Sequence, residues 1–365
     1  MPTTNTNTNT NTNTNTNNNN NGYGGGYGGG SCRSAGNTGN CGIYPAMPNT
    51  PGWVPADVEF FRFMVMFQTF HTVHTLDKGN VTFQIFGFGG SGGESQGSGN
   101  SGWFPGPLMR ARQGQIVHTR LSTGMPHTIH HHGIEPDTFN DGVGHYSFDV
   151  DVQYTYQWYA SQAGTYFYHC HTNTVLHAEM GMYGPLIIDP PTGPGTAFLG
   201  GPAYDVEAIW AVDDIDTSWH CLPWDAGLCG GDAGLSEFNP DVFIINGIGN
   251  ADTPTHAKVA VNAAAGQRIL IRYIQAGYFP QRIIFHGVDD GLGPVQIIAE
   301  DGRPLPLAET LPVDNGVSTR VTTSAERCDY YLTPVAAGTY PVEIQYLHWI
   351  TGDVVGTATT HIYVS

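Results

Sequence analysis

The sequence predicts an all-β protein of two Greek-key β-sandwich domains behind a disordered, low-complexity amino-terminal tail. Three observations predict it. Among 365 residues there are 49 Gly, 24 Pro and 18 Tyr but only 12% charged residues, a composition of turns and short strands and not of helical bundles. The apolar runs are short and strand-like. The skeleton of one half also recurs in the other: Gly114-Gln115-Ile116-Val117 is answered by Gly266-Gln267-Arg268-Ile269-Leu270, His131-His132-Gly133 by Phe285-His286-Gly287, and Gly164-Thr165-Tyr166 by Gly338-Thr339-Tyr340.

Residues 1 to 55 form the expected tail. The Asn-Thr repeat from Thr4, the Asn17 to Asn21 tract and the Gly-Tyr-Gly-Gly-Gly repeat with Tyr23 and Tyr27 lack the apolar content to offset ordering entropy. The first folded domain is expected over 56–195. It opens on Phe60 to Phe67 and Val81 to Phe86, which read as the first sandwich strands. His71 and His74 lie three apart, so a strand points them to opposite faces and gives them no shared ligand role. Gly89 to Gly102 reads as a Gly/Ser loop.

The chemistry is concentrated between Met125 and Pro185. Two short strand-like runs, His127-Thr128-Ile129-His130-His131-His132-Gly133 and Gly164-Thr165-Tyr166-Phe167-Tyr168-His169-Cys170-His171, are followed by His177 and Met182. No packing requirement asks for three consecutive histidines or for imidazoles flanking one cysteine. His127, Cys170, His177 and Met182 supply two imidazoles, a thiolate and a weak thioether, the donor set of a blue-copper electron-transfer site. Structural zinc prefers closed four-ligand sets without a thioether. Met180 competes with Met182 for the axial place. Strand alternation turns His169 and His171 away from Cys170 and puts His130 and His132 on one face, so the four converge on a second metal centre. His131 is left pointing to the blue-copper side as an outer or exposed residue. Glu135, Asp137, Asp141, His145 and Asp149 lie between the runs, and any acid among them could relay protons.

These motifs resemble the multicopper oxidases and their relatives the copper nitrite reductases. The segment Pro105 to Val117, with Pro240 to Gly247 and Ile298 to Gly302, resembles that family outside the ligands. The resemblance implies cupredoxin-like sandwiches, a type 1 copper on His127, Cys170, His177 and Met182, and half of a type 2/type 3 cluster on His130, His132, His169 and His171. Cys170 and His177 are seven apart, longer than in most laccases, which implies an enlarged loop.

A Pro/Gly linker follows Ile187-Ile188-Asp189, and a second domain is expected over 203–365. Register against the first domain puts Gln281 at the position of His127, Ile284 at that of His130 and Ile344 at that of Cys170, so the blue site is lost. His286 and His348 remain as second-domain copper donors. In the nitrite-reductase layout a late histidine completes a neighbouring subunit's site, which implies a head-to-tail homotrimer. Two imidazoles of a full cluster are still missing, and His74, His220 or a partner chain are the sources available.

The reading that follows is a laccase-like, copper-dependent oxidase. One-electron oxidation of phenols or metal ions would begin at the exposed edge of His177, pass through Cys170 to His169 and His171, and end in reduction of dioxygen to water. A nitrite reductase is the first alternative, but its relay aspartate and histidine would fall at His130 and Gln281. A non-enzymatic electron-transfer cupredoxin is the second. A net charge of −18 argues against nucleic acid and anionic membrane, and no apolar run is long enough to span a bilayer. Possible disulfides Cys32–Cys41 and Cys221–Cys229, with Cys328 left over, point to a secreted, periplasmic or cell-surface protein, although Met1-Pro2-Thr3-Thr4 does not begin a signal peptide.

Overall fold

The computed structural model describes residues 43–44, 54–66, 68–92, 104–144, 146–228 and 232–365. The repetitive tail with Tyr23 and Tyr27, Cys32, Cys41, His145, Cys229 and most of the Gly/Ser loop lie outside the described residues. The protein is nearly all-β. Among the described residues, no helix is long and apolar enough to cross a membrane.

The first sandwich uses β1 (Ile43–Tyr44), β2 (Val58–Val65), β5 (Gly87–Ser91), β6 (Met109–Arg112), β7 (Ile116–Ser122), β8 (His130–His132), β9 (Gln153–Tyr159), β10 (Gly164–His169) and β11 (Tyr183–Asp189). Its sheets run β1-β9-β7-β2-β5 and β6-β11-β10-β8. In β9 the alternation of Tyr154, Tyr156 and Trp158 with polar residues buries one face, as a half-covered strand requires. β10 is buried at every residue. Its Tyr166 and Tyr168 face the sandwich core with Cys170, while Phe167 packs against Ala211, Ile244 and Ile274 of the second domain.

Two expectations change here. Val81 to Phe86 does not open the sandwich, because β3 (Phe70–Thr75) and β4 (Gly79–Gln84) form a separate hairpin. That arm reaches the second domain, where His71 Nε2 meets the Gly247 carbonyl at 2.7 Å and His74 Nδ1 meets Asp252 at 3.2 Å. Nor is Gly89 loop: it pairs with Phe63 in β5, and a Cβ there would stand 2.6 Å from the Phe63 ring. Strand pairing against an aromatic overrides the loop-like composition.

The second sandwich comprises β12 (Val206–Ile215), β13 (Val242–Ile245), β14 (Ile248–Gly249), β15 (Val261–Ala263), β16 (Ile269–Gln275), β17 (Gln281–His286), β18 (Gln296–Glu300), β19 (Arg303–Thr310), β20 (Val313–Asp314), β21 (Val317–Thr322), β22 (Arg327–Leu332), β23 (Gly338–Leu347) and β24 (Val354–Val364). Its sheets are β14-β13-β12-β16-β22-β18-β19 and β15-β24-β23-β17-β21-β20. The duplication is explicit in the pairing. β2 runs parallel to β7 and β7 antiparallel to β9, as β12 does to β16 and β16 to β22. Tyr166 OH donates to the Gln162 carbonyl and Tyr340 OH to the Ala336 carbonyl, the same corner at the start of β10 and of β23.

A buried ionic network joins the sandwiches. Arg110 bonds Asp189 through Nε and Nη2 at 2.7 Å and Glu207 through Nη1 at 2.7 Å. Arg272 donates to Glu207 at 2.7 Å and to Thr165 at 3.0 Å and lies 3.4 Å from Asp329.

Candidate metal centres

Alternation along β10 and β8 builds two ligand sets on opposite sides of one sheet. On the inner side, Cys170 Sγ lies 3.4 Å from His127 Nδ1 and 3.5 Å from His177 Nδ1. Donors around one first-row ion, with metal–nitrogen bonds near 2.0 Å and metal–sulfur near 2.3 Å, stand about 3.5 Å apart, so this spacing fits a shared metal. Met182 is buried beside them, and its carbonyl accepts the Cys170 N–H at 2.9 Å. Met180 is equally buried and gives its carbonyl to Phe86 N–H.

Burial sets the protonation of this set. It holds His127 well below the ordinary imidazole range, with His177 as a second cause, and lowers His177 to about 4. Both rings are therefore neutral, with a lone pair free for a metal. Burial also pushes the Cys170 thiol up to about 11, so metal binding must displace its proton. A soft thiolate, two imidazoles and a nearby thioether suit copper.

On the outer side, β8 pairs with β10 so that His130 stands opposite His169 and His132 opposite Phe167. Ring centroids separate His130 from His132 by 5.5 Å, from His169 by 5.2 Å and from His171 by 5.4 Å. His132 Nδ1 and His169 Nε2 are 3.2 Å apart. His130 Nδ1 donates to the Asp141 carbonyl at 2.7 Å and His169 Nδ1 to the Cys170 carbonyl at 2.8 Å, which leaves both Nε2 atoms for a metal. Burial, with Arg327 next, lowers His132 to about 3. The cluster opens on a cleft of about 690 Å³ lined by Asp141, Glu135, Glu300, Asp301, Arg303 and Arg327.

His177 departs from expectation twice. It lies on a short helix, α1 (Thr174–Glu179), entered from Asn173 in the left-handed region (φ 46°), where an enlarged loop was expected. Its edge is not exposed: the ring is 0% accessible, and Nε2 meets the Trp224 carbonyl of the second domain at 2.7 Å. His131 is not exposed either. It is a core residue whose Nε2 meets Thr119 Oγ1 at 3.0 Å beside the Trp158 ring. Trp224 and Arg327 had no sequence signal, because both reach the sites only through tertiary packing.

The second-domain histidines do not join the cluster within one chain. His286 ends β17 and lies 3.6 Å from Glu343, while His348 follows β23 and accepts N–H groups of Ile350 and Thr351. Gln281 pairs with Tyr346 near the His348 end and Phe285 with Val342 near the His286 end. Five strand steps of about 3.3 Å put the two roughly 15–20 Å apart, so they cannot share one ion. The register places Ile284, His286 and Glu343 where the first domain has His130, His132 and His169. Gln281, at the position of His127, accepts Tyr273 OH in the core. His220 is no missing ligand: it bonds the Gln84 carbonyl and lies 3.5 Å from Glu179. His74 pairs with Asp252 away from the cluster.

Residues 90–193 match the family model described as multicopper oxidase. Over 175 residues the chain is 34% identical to an L-ascorbate oxidase of Cucumis sativus, covering 44% of this chain and 27% of that enzyme. Over 276 residues it is 29% identical to the multicopper oxidase MmcO of Mycobacterium tuberculosis, covering 65% of this chain and 48% of that protein. It thus spans half or less of these relatives' length. The blue copper oxidase from Nitrosomonas europaea superposes with a TM-score of 0.62 at 25% identity, over 84% of this chain and 85% of that one. A copper nitrite reductase from the same organism shares the fold at 17% identity and a TM-score of 0.57, over 84% of this chain and 94% of that one.

Proposed function

We propose that this chain, whose residues 90–193 match the multicopper oxidase family model, is a two-domain, laccase-like oxidase that couples one-electron oxidation of a phenol or metal ion to reduction of dioxygen to water. One observation carries it: Cys170 sits in one ligand set while its chain neighbours His169 and His171 sit in the other, so covalent bonds join the sets. Copper would be held by His127, Cys170, His177 and Met182 on the inner side and by His130, His132, His169 and His171 on the outer. When bound it supplies reversible one-electron chemistry. Four donors each give one electron, and one dioxygen takes four electrons and four protons to make two waters.

The chain's own residues do the rest. The fully buried β10 keeps water from the stretch between the sets. The Asp141 carbonyl orients His130, and the carboxylates of Asp141, Glu135 and Glu300 line the cleft where protons are needed. A thioether from Met182 would favour a modest potential and easily oxidised donors.

The outer set is four imidazoles short of a full cluster. A second copy is the natural source, and the outer face of β17 and β23, with His286 and Glu343 half-exposed, supports a head-to-tail homotrimer. Domains over 56–195 and 203–365 and an exported location complete the reading. The test is copper content per chain with visible and EPR spectra and dioxygen uptake, alongside light scattering. Near four coppers, a blue band, uptake with a one-electron donor and a trimer mass are expected. Near two coppers, all EPR-visible, with no uptake would hand the site to nitrite reduction or electron transfer.

A further inference from the structure

We propose that the second-domain segment Trp219 to Ala226 is a selectivity cover on the inner metal site, keeping planar donors off His177; this rests on the oxidase reading above. The Trp224 carbonyl is the centre of the contact. It accepts His177 Nε2–H at 2.7 Å and Asn173 Nδ2 at 3.1 Å, and Asn173 also donates to the Ala226 carbonyl at 2.8 Å. Tyr278 OH bonds the Val175 carbonyl of the same helix. Around these bonds Trp219, Leu222 and Trp224 pack on the apolar cluster that holds Cys170 and Met182. The Trp224 ring lies 6.4 Å from the His177 ring.

Two consequences follow. The carbonyl fixes the His177 tautomer, since a proton on Nε2 leaves Nδ1 unprotonated and facing Cys170 Sγ at 3.5 Å. A donor cannot touch an imidazole that is 0% accessible, so electrons must cross the cover. When a phenol is the donor it loses one electron and releases its proton to solvent as the radical forms. Copper held by His127, Cys170 and His177 would be the one-electron acceptor. An outer-sphere metal complex uses no stacking contact with the imidazole edge, whereas a planar organic ring loses that contact under the cover.

The experiment uses the full chain and two variants. Trp224→Ala removes the cover's ring. Asn173→Gly removes two of its bonds while suiting the positive φ of 46°. The copper-loaded proteins are reduced anaerobically with a dimethoxyphenol and with hexacyanoferrate(II), following loss of the blue band. The metal-free proteins are compared by hydrogen exchange over 174–180. Reduction by the phenol should speed up at least tenfold in both variants, with the rate for hexacyanoferrate(II) changing less than threefold and exchange over the helix accelerating. An unchanged phenol rate in either variant that keeps its blue band overturns the proposal, as does unchanged exchange in both. A wild-type protein without a blue band would instead sink the oxidase reading, and the exchange comparison still judges the cover.

Discussion

His220 illustrates how much one buried ring can weigh. Burial holds it at about 4, against opposing pulls from the Gln84 carbonyl and the charges of Asp216 and Asp241. The unfolded chain takes up this proton below about 6.5 and the folded chain only near 4, so the sign is clear: stability falls as pH drops through that window. The slope is about 1.4 kcal/mol per pH unit. His220→Gln should flatten urea-denaturation midpoints between pH 6.5 and 4.5, and an unchanged pH slope would contradict the assignment. Cys170 is the opposite case, a residue whose loss should spare the fold. Cys170→Ser nearly conserves volume inside the core, so we expect a folded protein with no blue band and no dioxygen uptake, read by circular dichroism and visible absorption. Retained turnover would refute the covalent route. At this scale the sequence was explicit for the ligands, because no structural need produces His-Cys-His; it was silent on Trp224, which acts through a backbone carbonyl.

β10 shows what an element adds. Its period of two separates the ligand sets, and that much follows from any strand. Its complete burial does not, since it depends on the second domain covering the outer face. The approach is tightest at Gly164, where a Cβ would stand 2.3 Å from the Gly302 carbonyl oxygen. Gly164→Val should therefore push the sandwiches apart, costing about 1–3 kcal/mol, and a thermal scan that finds no loss would show that the interface yields. The equivalent strand β23 carries Glu343 on its outer face without such cover, one duplicated element with two environments. α1 was hidden because the six residues between Cys170 and His177 are too few for a helical period to declare itself.

The whole molecule is held by charge as well as by apolar area. Burial would raise Glu207, yet Arg272 and Arg110 overcome it and hold its carboxyl below the ordinary range. Its contribution is thus present above the usual carboxylate pKa and lost as pH falls through the folded value. Arg272→Met leaves Glu207 and Asp329 short of a buried partner and should cost about 3–5 kcal/mol. Calorimetry should find that loss at pH 7 and a smaller one in acid. Equal losses at both pH values would mean that packing and not charge holds the interface.

The sequence by itself determined the two-sandwich class, the duplication and the candidate ligand residues, because strand alternation and donor softness are local properties that survive without coordinates. The tertiary structure decided which surfaces remain open. It buried His177 under Trp224, turned His131 into core, and set His286 and His348 at opposite ends of one ladder. The physical reason is that exposure and long-range distance depend on which distant segment packs where, and neither leaves a periodic trace in the chain.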